Sequence, residues 1–379
     1  MLREEDKTEK SNVEDPGSTE MEYEFWLAGL RLPARKKYLL RQYMKTGRAV
    51  YYIEETEISQ IGFLTERERN TIRQAQKEKG LKEVYDRSCE KGIRFVPYFS
   101  PDYPEKLREI ADFPFALFVK GRLPDRVSRK AAVVGARRCT PYGEKYAVEF
   151  AEKLASCGVE IISGLARGID GMGQRGALMG GGRTFAVLGC GVDICYPREH
   201  IGLYVDILEQ GGGILSEYPP GTPPVSQNFP PRNRIISGLS DVVLVMEARE
   251  RSGSLITADL ALEQGRDVYA LPGPVNSELS RGCNRLIQQG AGILLSPEAL
   301  LRDWNLSCGE PVQKKDKNEK VLETPENLVY SCLGLYPKNI DCLAEETKLG
   351  VSELMNALVA LELQGCIKEI SKNFYIKAK

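Results

Sequence analysis

From Arg129 to Trp304, short apolar runs alternate with longer stretches of mixed polarity. The runs fall at Ala131–Val134, Glu160–Ile162, Thr184–Leu188, Gly213–Leu215, Val242–Met246 and Val268–Leu271. Helical segments separate them, notably Gly143–Ser156, Asp170–Met179, Ala258–Gln264 and Asn284–Gln289. Near-continuous apolar strands alternating with helices predict a parallel sheet covered on both faces. The expected fold class is therefore α/β, with a Rossmann-like, doubly wound, mostly parallel sheet as its core.

The flanks show other rhythms. Residues 1–20 are almost wholly polar and charged, which predicts a disordered tail. Over residues 21–92, Tyr23–Leu27 and Lys37–Tyr43 carry apolar positions at helical spacing, and Thr65 opens a polar-rich helix over Glu66–Glu78. A small helical domain is expected there. A Pro- and aromatic-rich connector from Phe95 to Gly121 opens the core domain (93–306), with Phe113–Val119 read as a turn and a short strand. Residues 307–324 read as a charged linker. In residues 325–379, helices are expected at Asn327–Leu333, Ile340–Thr347 and Ser352–Gln364. Gly365 ends the last, and strands follow at Ile367–Ile370 and Phe374–Ile376. Three helices and a β-ribbon form a winged-helix pattern.

Composition narrows the function. The formal net charge is −1, so bulk positive potential does not hold a polyanion here, although local phosphate sites remain open. No stretch reaches the ~20 apolar residues that span a bilayer, and the acidic start lacks signal-peptide character. A cytoplasmic location is expected, with no membrane partner. Ten cysteines are scattered without a C-x-x-C pair, which argues against zinc or any other metal site. The sole histidine, His200, follows Tyr196-Pro197-Arg198-Glu199 and reads as an exposed turn residue rather than a catalytic base.

In an open parallel sheet, ligands bind where strands end and helices begin. Four such junctions carry unusual residues. In the first, a strand meets Gly135, Ala136 and Arg137 before a helix, a place where amides and a guanidinium meet phosphate. The G-x-G-x-x-G spacing of a dinucleotide fold is missing. The second is Ser163-Gly164-Leu165-Ala166-Arg167-Gly168-Ile169-Asp170. Ser163 offers a hydroxyl there, Gly164 and Gly168 offer amides, and Asp170 either caps the helix or meets ligand. The third, Phe229-Pro230-Pro231-Arg232-Asn233-Arg234, places Arg232, Asn233 and Arg234 in a helical first turn as a phosphate clamp. Phe229 either packs in the core or stacks on a base. At the fourth, a strand delivers Glu247, and Ser252-Gly253-Ser254 opens the next helix with small hydrogen-bonding residues. Four such junctions on one sheet edge predict a cleft for an extended anionic ligand, gripped locally and with moderate salt sensitivity.

Those segments resemble the DNA-processing A (DprA/Smf) family. The resemblance runs from about Phe95 to Ala299 through VVGARRCTPYG, SGLARGID, GCGVDICYP, LSEYPPG, NFPPRNRIISGLSDVVLVMEA, SGSLITADLALEQGRDVYALPG and GCNRLIQQGA. The N-terminal unit looks like that family's helix-hairpin-helix-related (SAM-like) domain, and the tail like its winged helix. The resemblance implies a non-enzymatic protein without cofactor or catalytic residues. It implies binding of single-stranded DNA during natural transformation, loading of the RecA recombinase onto it, and homodimerisation through the core. It assigns the phosphate pocket to Gly135, Arg137, Ser163, Gly164, Gly168, Arg232 and Arg234, with Phe229 at the base-contact position. Asn233, Gly253 and Ser254 complete the expected single-strand site. Two positions depart from the family pattern: Ala136 stands where it commonly has Ser, and Gly173-Gln174 where it commonly has Ala-His.

Two rival readings remain. A nucleotide-cleaving phosphoribohydrolase would use Ser252–Thr257 with Glu263, but the Pro-Gly-Gly loop of such enzymes is missing. A transcription regulator would read duplex DNA with its winged helix, but Ser352–Gln364 carries no Lys or Arg.

Overall fold

A computed structural model describes residues 21–306, 325–333, 338–371 and 373–377. The chain forms two compact units that part after Gly309. The expected tail over 1–20 and the expected linker over 307–324 lie outside the described residues.

The first unit is built on a nine-stranded sheet. Its strands are β1 (Ile93–Pro97), β2 (Ala116–Gly121), β3 (Lys130–Val134), β4 (Glu160–Ser163), β5 (Thr184–Leu188), β6 (Gly213–Ser216), β7 (Val242–Val245), β8 (Asp267–Ala270) and β9 (Gly292–Ile293). The order is β1-β2-β6-β5-β4-β3-β7-β8-β9. From β6 to β9 all pairs are parallel, with Ala131 registered against both Ile161 and Val242. Strands β1 and β2 add an antiparallel edge, Phe118 pairing with Ser216. The connector thus yields two strands where its sequence suggests one. Every residue of β3 to β7 is buried, as a sheet covered on both faces requires.

Six helices precede the sheet among the described residues: α1 (Met21–Gly29), α2 (Ala34–Met44), α3 (Gly47–Tyr51), α4 (Glu55–Gln60), α5 (Glu66–Ala75) and α6 (Leu81–Glu90). Thr65 caps α5 in a reciprocal capping box with Glu68. These helices share their core with the sheet: the Phe25 ring packs 5.4 Å from Phe95 and 5.3 Å from Phe118. Between and after the strands lie α7 (Glu105–Arg108), α8 (Pro141–Ser156), α9 (Ile169–Met179), α10 (Ile201–Glu209), α11 (Phe229–Leu239), α12 (Gly253–Glu263), α13 (Glu278–Gln288) and α14 (Pro297–Asp303). Helices α12 and α13 begin five and six residues earlier than the apolar pattern suggests. The α12 start falls where the small residues Ser252-Gly253-Ser254 signal a helix opening, while Glu278 at the α13 start gives no apolar signal.

The chain builds β3 to β6 in one direction, then crosses to β7 and builds the other way. The β3/β7 junction is the topological switch point, where loops diverge and leave a crevice at the carboxyl ends of the strands. At the opposite end of these strands, Asp241 holds the pair together. Its carboxylate accepts from the Lys130 backbone N–H at 2.8 Å and from Lys106 Nζ at 2.5 Å.

The second unit contains α15 (Pro325–Cys332), α16 (Ile340–Thr347), α17 (Val351–Leu363), β10 (Lys338–Asn339), β11 (Ile367–Ser371) and β12 (Phe374–Lys377). The strands pair antiparallel in the order β10-β12-β11. Helix α17 buries Leu354, Ala357, Leu358 and Leu361. Gly365, at φ +70°, lets the chain turn into the wing. This is the expected winged helix, with β10 as an added strand.

Candidate nucleic-acid interface

The crevice at the switch point is a cleft of about 430 Å³. The loop after β3 supplies Gly135, Ala136, Arg137 and Arg138, and the loop after β4 supplies Ala166 and Asp170. The first turn of α11 contributes Phe229, Pro230, Arg232 and Asn233, and the start of α12 contributes Ser252, Gly253 and Ser254. All four junctions singled out from sequence thus contribute residues to one hollow.

Close backbone packing at the base of these loops explains two of the glycines. A Cβ on Gly135 would lie 2.7 Å from the Ile169 side chain and 3.0 Å from the Glu247 carbonyl. Gly168 sits at φ +69°, and its Cβ would strike the Ala136 carbonyl at 2.3 Å. Gly168 therefore lets two loops touch, and the lining residues do not include it. Glu247 is buried beneath the β3 loop, where its carboxylate accepts from the Thr140 amide at 2.8 Å and the Thr140 hydroxyl at 2.5 Å.

The β4 loop is held from below. The Gly164 amide donates to Asp170 at 3.1 Å, and the Leu165 amide to Gln174 at 3.1 Å. The Leu165 carbonyl faces His200 Nδ1 at 3.0 Å. These bonds fix Leu165 at φ +56°, a conformation uncommon for a bulky residue. The Gly164 amide is accordingly occupied, which corrects the expectation that it greets phosphate. Asp170 neither caps α9 nor stands free: it binds this loop. His200 is half-buried rather than exposed, and it anchors the same loop. Gln174 is fully buried, so this departure from the family pattern acts on loop position and lies outside the cleft lining.

Ser163 is also corrected. It is fully buried at the end of β4, and its hydroxyl donates to the Val133 carbonyl at 2.7 Å, stitching β4 to β3. Arg234 lies on the other side of α11 from the cleft. Its guanidinium pairs bidentately with Glu217 at 2.7 and 2.6 Å and meets Asp112 at 2.9 Å. Burial favours its neutral form, but the Glu217 carboxylate outweighs this and leaves its pKa raised. The clamp foreseen from Arg232 and Arg234 is thus split, because at about 100° per residue two positions on a helix point to nearly opposite sides.

Arg232 does reach the cleft. It is only 4% exposed, donates to the Val187 carbonyl, and has a buried Nε without a hydrogen-bond partner. Burial pulls its pKa below the ordinary value, with Asp170 opposing and Arg137 reinforcing the shift. Burial conversely pushes Asp170 up, with Arg232 and the Gly164 amide opposing. Above this floor stands a ladder: the Arg137 guanidinium lies 5.4 Å from the Phe229 ring centre, and Phe229 stacks on Tyr196 at 5.5 Å and 22°. Phe229 is half-buried, so it packs and presents a ring at once. Arg137 and Arg138 are exposed, and no carboxylate among the described residues lies within ion-pair distance of either. Opposite the ladder, Asn233 Nδ2 donates to the Gly253 carbonyl at 3.2 Å, tying α11 to the start of α12. No side chain caps that start, so its first-turn N–H groups face the cleft with favourable polarity for an anion.

Sequence reading missed Tyr196. It follows β5, whose carboxyl end faces the same edge, and an aromatic residue in that loop is a signal that the strand count already permitted. Cys190 and Cys195 each donate a thiol to a nearby carbonyl. Among the described residues, no group of three or more His, Cys, Asp or Glu is placed to hold a metal.

Comparison with known proteins agrees with this architecture. The family model of DNA recombination-mediator protein A matches residues 94–305, and that of the DprA winged helix domain matches residues 313–371. The chain belongs to the DNA recombination-mediator protein A (DprA/Smf) family. Protein Smf of Escherichia coli is 42% identical over 312 residues, 79% of this chain and 83% of its own. The X-ray structure of DNA processing protein A from Streptococcus pneumoniae superposes with a TM-score of 0.62 at 36% identity, covering 74% of this chain and 97% of that one. DNA processing protein A of Helicobacter pylori, solved in a study of its single-stranded DNA binding mode, gives a TM-score of 0.50 at 29% identity. It covers 56% of this chain and 95% of its own. Among the described residues, no helix is long and apolar enough to cross a membrane.

Proposed function

We propose that this family member binds single-stranded DNA in the switch-point cleft, as a cytoplasmic recombination mediator without catalytic residues or cofactor. The carrying observation is the Arg137–Phe229–Tyr196 ladder above the under-satisfied Arg232 guanidinium. A ring face accepts any unpaired base, while a neighbouring guanidinium takes its phosphate, which suits a strand bound without sequence preference. Duplex DNA hides its base faces in the stack and offers no ring to Phe229. The contact set is Gly135, Arg137, Phe229, Arg232, Asn233, Gly253 and Ser254, extended by Tyr196. Ser163, Gly168 and Arg234 support it from outside, and Gly164 borders the hollow beside Arg137, Phe229 and Arg232.

Fluorescence anisotropy with oligonucleotides tests this reading. Single strands should bind more tightly than duplexes of the same length, and Arg137→Ala should weaken the single-strand complex by about 1.5–3 kcal/mol. Equal affinity for both forms, or an unaffected variant, overturns it. The mediator role is the loading of RecA: the protein should raise RecA filament formation on DNA already coated by a single-strand-binding protein, and Arg137→Ala should abolish the gain. Homodimerisation through the core belongs to the same reading, and sedimentation of the full chain measures it.

The phosphoribohydrolase reading gains no support from the geometry. Glu263 ends the 11-residue helix whose start lines the cleft, so it stands about 15 Å along the axis from that start. The acidic groups at the cleft base, Glu247 and Asp170, are committed to Thr140 and to the Gly164 amide.

A further inference from the structure

The Arg137–Phe229–Tyr196 ladder has a counterpart farther along the same sheet edge. Strand β1 is antiparallel to β2, and β2 to β6, so β1 runs with the parallel strands and ends on the carboxyl edge that carries the cleft. Phe99 lies just beyond that end. Its ring stacks on Tyr38 of α2 at 5.5 Å and 8°, and the Arg41 guanidinium lies 5.0 Å from its centre. Tyr38 and Arg41 stand three residues apart on one face of α2, so both meet Phe99 from the helix side. Tyr98 and Phe113 pack edge-on against Tyr38 at 5.0 and 5.4 Å and fix its ring. Phe99 itself stays 41% exposed, whereas its neighbours at this seam, Phe25, Phe95 and Phe115, are buried.

The surroundings of this second ladder are basic, in a protein of net charge −1. Helix α2 carries Arg35, Lys36, Lys37 and Arg41 and no acidic residue, and Arg31 precedes it. Lys36 and Arg41 are paired with Glu68 and Glu24. Arg31 and Arg35 are exposed, and no carboxylate among the described residues lies within ion-pair distance of either. Arg35 stands one turn before Tyr38. An exposed ring beside uncommitted guanidiniums repeats the chemistry of the cleft, where Arg137 and Arg138 accompany Phe229.

A cavity of about 820 Å³ connects the two regions. Arg31 and Lys37 line it from the helical unit, Asp112 and Phe115 from the segment leading into β2, and Asn228 and Pro231 from the start of α11. Its carboxylates, Asp112 and Glu217, both pair with Arg234, and Arg31 and Lys37 tip the charge of the lining to positive. Strands β5 and β1 are three places apart in the sheet, about 14 Å at the usual strand spacing. A stacked single strand covers that with about four nucleotides, and an extended one with fewer.

We propose that Phe99, with Arg31 and Arg35, forms a second contact for the single-stranded DNA held in the cleft. The strand continues along the carboxyl edge, a base stacks on Phe99, and neighbouring phosphates meet the two arginines. The inference rests on the cleft reading and adds the helical unit to the path of the DNA. A ring takes any unpaired base and a guanidinium takes phosphate oxygens, so the extension lengthens the footprint without reading sequence.

Anisotropy with the full chain and oligothymidines of about 6 and about 16 nucleotides, within the site sizes of single-strand binders, tests the extension. Phe99→Ala should weaken the long strand about fivefold or more, the loss of one stacked base, and leave the short strand nearly unchanged. Arg31→Ala combined with Arg35→Ala alters exposed positions outside the core, and decides the matter even where Phe99→Ala disturbs the seam. On the long strand it should reduce the slope of log K against log salt by about 1.4, the value for two phosphate contacts on a single strand. An unchanged slope overturns the proposal. So does a folded Phe99→Ala protein that binds the long strand as the parent does, or one that loses equally on both lengths. Phe229→Ala separates this inference from the reading beneath it. If Phe229→Ala weakens binding while the Phe99 and arginine variants do not, the extension alone falls; if Phe229→Ala has no effect, the cleft reading falls.

Discussion

The two sides of the first turn of α11 put the same residue types to opposite uses. On the cleft side, Phe229, Arg232 and Asn233 face a hollow ringed by exposed arginines and an uncapped helix start. On the other side, Pro231 and Arg234 face a cavity in which the arginine is already neutralised by Glu217 and Asp112. Arg232 keeps an unused Nε, whereas Arg234 spends its guanidinium on carboxylates and on the Pro231 carbonyl. Residue type therefore does not separate the two arginines of this motif. What separates them is whether the protein has already satisfied the group.

The sharpest way to break this comparison is to exchange the fates of the two sides. Arg234→Ala leaves Glu217 partly buried without its partner, and breaking a buried pair costs about 3–5 kcal/mol. Chemical denaturation should show that loss. A variant that folds as stably as the parent yet fails to bind DNA would place Arg234 at the ligand after all.

On the cleft side the effect should appear in binding. Phe229→Ala removes a stacking platform worth about 1–3 kcal/mol per base, and anisotropy should register a matching loss for single strands. Phe229→Tyr, which keeps the ring, should retain most of the affinity. A loss of equal size for duplex DNA would count against stacking.

Asp241, at the far end of β3 and β7, sharpens the comparison from a third position. Burial tends to raise its pKa, but the bonds from Lys106 and from the Lys130 backbone outweigh it and hold the carboxyl below its ordinary value. A depressed carboxyl stabilises the fold above its unfolded pKa, near 3.9, and that contribution is lost as pH falls through the folded value. Asp241→Asn should therefore be less stable than the parent at pH 7, by about 1.5–3 kcal/mol for hydrogen bonds to a charged group. The gap should narrow as the pH is lowered below the ordinary carboxylate range. A gap independent of pH refutes the assignment.

The smallest effect concerns Ser163. Ser163→Ala removes one buried bond between β4 and β3, worth about 0.5–1.5 kcal/mol of stability, and should leave single-strand affinity unchanged. Reduced affinity with unchanged stability would return Ser163 to the ligand.

The apolar runs and their helical intervals were enough to foresee a doubly wound sheet and a winged helix, because burial on two faces leaves a mark at every strand position. Runs at Val242–Met246 and Thr184–Leu188 are legible for that reason. The antiparallel edge of β1 and β2 was only half legible, since Pro- and aromatic-rich stretches serve strands and turns alike. The start of α12 was legible from the small residues Ser252-Gly253-Ser254, whereas the apolar pattern by itself begins only at Ala258.

The same limit governs the site. Sequence alone placed glycines, arginines and an aromatic residue at strand ends, and the topology of a parallel sheet sends those ends to one edge. Which side chains are free there was decided only in three dimensions. Asp170, six residues on, claims the Gly164 amide, Glu217 from the loop after β6 claims Arg234, and a ring from the β5 loop, Tyr196, joins Phe229. Hydrogen bonds and stacking act over a few ångströms and depend on side-chain direction, so periodicity can foretell where a group stands but not what it touches.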